Sequence, residues 1–346
     1  MKREGRIRLG RTEFLVDRDG FGALPIQRIS DEEAVHLLRR ARKEGINFFD
    51  TARAYSDSEH KLGLAFSEVR DTIYIATKSM AQDGEKLKQD LETSLQELQT
   101  EYIDLYQVHN PPFCPKPGGE DGIYDALLEA KAAGKIRHIG ITNHRLAVAE
   151  EAIDSGLYET LQFPLSYLST EKEEELVRRC EEADMGFISM KALAGGLIHN
   201  MKAAYAYQHQ FLNVIPIWGI QKEEEFDQLS VCREIGSDLT DDDVQKGIEE
   251  DRRELTGDFC RGCGYCMPCP VGIEINNCAR ISLMIRRAPE APWLSEEYQE
   301  KMKKIEDCIE CGSCREKCPY DLDTPALLKR NLEEYYRILK DRQKGK

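Results

Sequence analysis

Short apolar runs alternate with stretches of helical periodicity along the first two thirds of this 346-residue chain. Residues 46–49 (INFF) are apolar at all positions but one, the pattern of a strand buried on both faces. The pattern predicts strands over 46–51, 73–78 (IYIATK), 103–109 (IDLYQVH), 136–142 (IRHIGIT), 160–165 (TLQFPL), 186–191 (GFISMK), about 203–208, and 213–219 (NVIPIWG). Amphipathic helices are predicted between them, as at 85–99 and 172–183. Residues 31–44 place Ala34, Val35, Leu37, Leu38 and Ala41 on one helical face. Ser30 stands at the cap, Glu33 at capping-box spacing, and Gly45 at the end. Eight βα units predict a (β/α)8 TIM barrel rather than an open doubly wound sheet. No G-x-G-x-x-G turn follows an early strand, which argues against a Rossmann domain.

In such a barrel, chemistry sits where the strands end. The 46–51 strand delivers Asp50, with Tyr55 on the following loop; the next delivers Lys78, and the third His109. A cation beside a phenol favours phenolate and makes the hydroxyl a better proton donor. Asp50 would hold Lys78 charged and in place, and His109 would orient and polarise a carbonyl oxygen. Singly, Asp50 and Lys78 also suit a structural ion pair and His109 a satisfied loop histidine. Together, at consecutive strand ends, they suit a site that protonates an oxyanion as hydride reaches carbon.

Composition adds a second domain. The chain has 63 acidic and 48 basic residues, a net charge of −15, and no basic block, which argues against nucleic-acid or anionic-membrane partners. The N-terminus lacks the apolar core of a secretory signal, and no run reaches the roughly 18 apolar residues of a membrane span, so a cytoplasmic protein is expected. Twelve cysteines in a reducing compartment point to metal ligation. Only Cys114, Cys180 and Cys232 precede residue 259. The expected division is a barrel over 1–236, a charged helical linker over 237–258 and a cysteine domain over 259–346.

That domain opens with Cys260, Cys263, Cys266 and Cys269-Pro270, and repeats with Cys308, Cys311, Cys314 and Cys318-Pro319. The second run is the CxxCxxCxxxCP pattern of bacterial 4Fe–4S ferredoxins; the first is one residue shorter before its last cysteine. Three consecutive CxxC steps followed by Cys-Pro suit iron–sulfur ligation better than zinc. The fourth cysteine of each run serves the other cluster in two-cluster ferredoxins. One cluster is therefore expected on Cys260, Cys263, Cys266 and Cys318, the other on Cys308, Cys311, Cys314 and Cys269. Cys278 and the three barrel cysteines are left as free thiols. Helices are expected over 277–286, 295–305 and 325–340, the last with Thr324 as cap and Pro325 at N1.

The segments LGRTEF, GINFFDTARAY, IATKS, QVHN and MKALAGG resemble the aldo/keto reductase superfamily over roughly residues 6–236. The resemblance implies a catalytic tetrad of Asp50, Tyr55, Lys78 and His109, with Tyr55 as acid and NAD(P)H as hydride source for a small carbonyl or alcohol substrate. It also implies that Asn143 and Gln162 bind the nicotinamide carboxamide, and that Met190, Lys191, Leu193, Gly219, Gln221 and Lys222 line the cofactor. Leu165 stands where many members stack an aromatic ring, with Tyr167 two residues on. Lys222 stands next to Glu223, Glu224 and Glu225, which would repel a 2′-phosphate and favour NADH; the same glutamates also suit the solvated first turn of a helix. The cysteine region resembles the mainly α-helical, two-cluster ferredoxin-like module of anaerobic reductases. Because nicotinamide carries electron pairs and a 4Fe–4S cluster single electrons, three readings follow. They are a nicotinamide-dependent reductase, a ferredoxin- or flavin-linked reductase, and a non-enzymatic electron-transfer subunit of a larger redox complex.

Overall fold

Eight parallel strands close into a barrel, and the first of them is one the apolar pattern does not announce. It is the three-residue step Gly20–Gly22. The computed structural model describes residues 5–236, 238–255, 259–287 and 291–344; residues 237 and 256–258 of the expected linker lie outside these. A hairpin of β1 (Ile7–Arg8) and β2 (Leu15–Val16) precedes the barrel strands. These are β3 (Gly20–Gly22), β4 (Phe48–Asp50), β5 (Tyr74–Ser79), β6 (Ile103–His109), β7 (Ile136–Thr142), β8 (Thr160–Pro164), β9 (Gly186–Met190) and β10 (Val214–Gly219). Closure comes from β10 pairing with β3, Ile217 opposite Gly20.

The strand expected at 203–208 is a helix. Its AAYAYQ sequence is rich in Ala, the best helix former, and is buried throughout, so it shows no polar face by which to tell helix from strand. The barrel helices are α1 (Asp31–Lys43), α2 (Ser58–Phe66), α3 (Gly84–Glu97), α4 (Ile123–Ala132), α5 (Leu146–Ser155), α6 (Glu171–Glu182), α7 (Met201–His209) and α8 (Glu223–Ile235). Ser30 and Glu33 form the expected capping box on α1.

The hairpin closes the end of the barrel opposite the strand C-termini. Leu9, Phe14 and Val16 pack with Phe48, Ala76, Leu105, Ile188, Ile215 and Ile217 in one buried cluster. Gly10 (φ +51°) allows this approach, because a Cβ there would lie 2.2 Å from the Gly186 nitrogen.

The chain divides into two compact units, residues up to 192 with 201–246, and residues 193–200 with 247 onward. Helix α9 (Asp242–Glu254) leads from the first to the second. The second unit holds α10 (Ile275–Cys278), α11 (Ile281–Arg287), α12 (Glu296–Lys303), α13 (Ser313–Glu316) and α14 (Thr324–Lys344), around a core that includes Ile275, Ile281, Met302, Leu328 and Tyr335. Helix α14 begins one residue earlier than expected. Asp323 rather than Thr324 caps it, its Oδ1 accepting the Ala326 N–H at 3.3 Å. Among the described residues no helix is long and apolar enough to cross a membrane.

At the start of β8, Glu159 accepts from the Ile139 N–H (2.7 Å), Lys131 (2.7 Å) and His138 (2.8 Å). These bonds hold its carboxyl down at about 2 against an ordinary 4.5. A carboxylate lowered by folding stabilises the protein above its unfolded value, and that contribution is lost as pH falls from about 4.5 to about 2. Glu159→Gln is therefore expected to lower stability by up to about 3 kcal/mol near neutrality, with the gap to wild type closing below pH 4.5. Urea unfolding across pH checks this; a gap unchanged between pH 6 and 3 would contradict it.

Candidate active site and cysteine cavities

Residues Asp50, Lys78 and His109 stand at or near the C-terminal ends of β4, β5 and β6, as the sequence predicts. The register sets Asp50 beside Ala76, Lys78 beside Gln107 and His109 beside Thr142. Lys78 is 1% exposed, and its three N–H bonds are all taken. Nζ donates to Asp50 Oδ1 (2.8 Å) and Oδ2 (2.7 Å) and to the Thr51 carbonyl (2.6 Å). Burial pushes the Asp50 carboxyl up and the Lys78 ammonium down, while their attraction for each other opposes both shifts.

The loop after β4 aims Tyr55 at this pair. The Arg53 N–H donates to the Lys78 carbonyl (2.9 Å), and the Tyr55 N–H to the Ala52 carbonyl (3.0 Å). The Ser58 N–H donates to the Tyr55 carbonyl (2.8 Å), while the Ser58 hydroxyl bonds to Thr51 Oγ1 and the Ala23 carbonyl. Lys78 Nζ then lies 5.1 Å from the centre of the Tyr55 ring. The His109 ring meets Tyr55 edge-on, centroids 6.0 Å apart at 88°. Burial first, and then the Lys78 charge, hold His109 well below the usual imidazole range, so it is neutral at physiological pH.

Gln107 belongs to the same network and is absent from the sequence-derived set. Its Nε2 donates to Gln162 Oε1 (2.9 Å) and reaches Asp50 Oδ1 at 3.4 Å. The signal was available: two residues before His109 on a strand, it must share that residue's face. Gln162 Nε2 in turn reaches Asp50 Oδ2 (3.5 Å) and the Met190 sulfur (3.9 Å). Asn143 Oδ1 accepts the N–H groups of His144 (2.9 Å) and Arg145 (2.8 Å), and its Nδ2 donates to the Pro111 carbonyl. By donor and acceptor count, Asn143 keeps one N–H and Gln162 one carbonyl lone pair. Leu165 and Tyr167 are both buried, Tyr167 edge-on to Tyr207, so neither presents an exposed ring.

Two of the three glutamates at the start of α8 have separate tasks. Glu225 accepts the backbone N–H of Gln221 (2.8 Å) and Lys222 (3.2 Å). Glu223 pairs with Arg40, which also holds Glu44 and Asp227. Lys222 is exposed, and its ammonium makes no ion pair among the described residues; Gly219 beside it is exposed too. Lys191 follows β9 in left-handed backbone (φ +61°), and Leu193 falls in the second unit.

In that unit the cysteines line two cavities. One, of about 350 Å³, is lined by Cys260, Cys263, Cys266 and Cys318. The other, of about 400 Å³, is lined by Cys269, Cys308, Cys311 and Cys314, with Cys266 on the shared wall. The thiols are unbridged, and among the described residues no group of three or more converges on one ion position. Burial and the neighbouring Cys260 and Cys263 push the Cys266 thiol up to about 12. Such a crowded set suits a centre that itself carries positive charge, as iron does.

Residues 20–245 match the aldo/keto reductase family, and residues 259–323 match the 4Fe-4S dicluster domain. Aldo-keto reductase YhdN of Bacillus subtilis is 30% identical over 183 residues, covering 49% of this chain and 54% of that protein. L-galactose dehydrogenase of Arabidopsis thaliana is 31% identical over 209 residues, 55% of this chain and 66% of that protein. The chain thus spans between about half and two thirds of the length of these relatives. An aldo/keto reductase of Klebsiella pneumoniae, solved with NADP and acetate, shares the fold at a TM-score of 0.61 and 20% identity, covering 74% of this chain and 98% of that one. The holo form of an aldo-keto reductase of Bacillus halodurans does so at 0.61 and 21%, covering 71% and 96%. With a matching family model over most of its length, a closed eight-stranded barrel and a dicluster match beyond it, the chain belongs to the aldo/keto reductase family and carries a 4Fe–4S dicluster domain.

Proposed function

We propose that the barrel reduces the carbonyl group of a small molecule to an alcohol, or runs the reverse, using a nicotinamide dinucleotide, and that the second unit holds two 4Fe–4S clusters. The observation that carries the first part is Lys78, clasped by Asp50 and the Thr51 carbonyl, under the ring of Tyr55 and with His109 edge-on to that ring. Bound nicotinamide supplies hydride to the carbonyl carbon. The Tyr55 hydroxyl gives the proton to the oxygen, which balances the addition. Lys78 stabilises the phenolate left behind, and Asp50 keeps Lys78 charged. Neutral His109 orients the carbonyl oxygen. Gln107 and Gln162 fix the Asp50 carboxylate from its open side.

The remaining N–H of Asn143 and lone pair of Gln162 match the oxygen and amide of a nicotinamide carboxamide. Met190, Lys191, Gly219, Gln221 and Lys222 would line the rest of the cofactor. Glu223, Glu224, Glu225 and Asp227 outnumber Lys222 and Arg40 around the start of α8, which favours NADH over NADPH. The clusters would be held by Cys260, Cys263, Cys266 and Cys318, and by Cys269, Cys308, Cys311 and Cys314, and would pass single electrons to a ferredoxin or another redox protein. A second reading, in which electrons reach the substrate from ferredoxin or through a flavin, draws on the burial of Leu165 and Tyr167, which leaves that position without an aromatic platform.

Tyr55→Phe is expected to lower kcat for a test aldehyde by about 100- to 10,000-fold with iron content unchanged; wild-type turnover would remove Tyr55 as the acid. Cys263→Ser should cost the protein one cluster, read as a loss of about half its iron. Iron equal to wild type would sink the ligation scheme. Glu224→Lys should lower KM for NADPH more than for NADH, by about tenfold or less. Equal effects on the two would show that charge near α8 does not select the cofactor.

A further inference from the structure

Arg280, between α10 and α11, joins two backbone segments of the second unit. Its Nη1 donates to the Gly195 carbonyl at 2.8 Å. Its guanidinium also lies across Gly262, where a Cβ would stand 2.6 Å from Arg280 Cζ. Gly262 separates two of the thiols of the first cavity, Cys260 and Cys263, and its N–H donates to Cys260 Sγ at 3.4 Å. Gly195 belongs to the segment Leu193–Asn200, which leaves β9 after Lys191 and Ala192. This segment has little regular structure of its own: Ala194 (φ +48°), Gly195 (φ +67°) and Gly196 (φ +91°) are all left-handed. A side chain at Gly195 would press on the Arg261 carbonyl, 3.0 Å from its Cβ position. One fixed cation therefore sits where the thiol-bearing loop and the strand-exit segment meet.

We propose that Arg280 is a positioning residue with two linked effects: its charge raises the reduction potential of the centre held by Cys260, Cys263, Cys266 and Cys318, and its bond to Gly195 fixes the Leu193–Asn200 segment beside that centre's ligand loop. The inference rests on the reading that these cysteines hold a cluster. The physics is simple. Reduction adds one electron to the cluster, and a neighbouring positive charge stabilises the more negative state. Arginine keeps its charge at every accessible pH. The N–H to sulfur bond from Gly262 acts in the same direction. Arg280 lines neither cavity, but Gly262, which its guanidinium covers, separates two thiols of the first, so the effect is assigned to that centre.

The test compares anaerobically prepared wild-type holoprotein with Arg280→Gln and Arg280→Lys. Iron content, thermal stability and both midpoint potentials, followed by electron paramagnetic resonance during redox titration, are read for each. With full iron, the Gln variant should show one midpoint moved to a more negative potential and the other unmoved, together with faster proteolysis within residues 193–200. The Lys variant, which keeps the charge, should retain both wild-type midpoints. A Gln variant with full iron and two unmoved midpoints, or with both moved equally, would overturn the inference. Should the Gln variant fail to retain iron, the Lys variant decides: unmoved midpoints support the role and a moved one refutes it. Wild-type protein without iron would instead refute the cluster reading itself.

Discussion

The buried pair of Lys78 and Asp50 is the constraint on which the polar rim of the barrel depends. Two ions taken out of water cost several kcal/mol each, and only complete coordination offsets that. Here all three ammonium protons find oxygen, two of them on Asp50, and the carboxylate is approached by Gln107 and Gln162 as well. Such coordination needs β4, β5, β6 and β8 in one register. The apolar cluster under the hairpin, at the far end of the barrel, supplies that rigidity without placing any polar group of its own near the pair. The fold and the site are thus one problem: the charges are tolerable only where the barrel puts them.

Much of this was legible in the chain. Seven apolar runs gave strands where expected, because parallel strands buried on both faces leave no polar alternation to obscure them. Asp50, Tyr55, Lys78 and His109 were legible because polar residues at the ends of such runs stand out. Two things were hidden for physical reasons. Gly20–Gly22 is too short and too poor in side chains to register as a strand, and residues 203–208 are buried on every side, so their period cannot be read. Gln107 was visible only by counting two residues back from His109. The glutamates at the start of α8 read as one acidic block, whereas folding gives Glu225 to the backbone and Glu223 to Arg40.

In the second unit, the cysteine spacing alone anticipated which thiols share a cavity, since the fourth member of each run lines the cavity of the other. What spacing could not show is that the chain enters this unit twice. Residues 193–200 belong to it although they lie between a barrel strand and a barrel helix.

The most direct test of the central claim is made on protein purified without oxygen, with its iron intact, by adding NADH and then a small aldehyde while recording the nicotinamide and iron–sulfur absorbance together. The account predicts that NADH is consumed only once aldehyde is present and that the cluster absorbance does not change. Bleaching of the clusters by NADH alone, with no turnover of aldehyde, would contradict it.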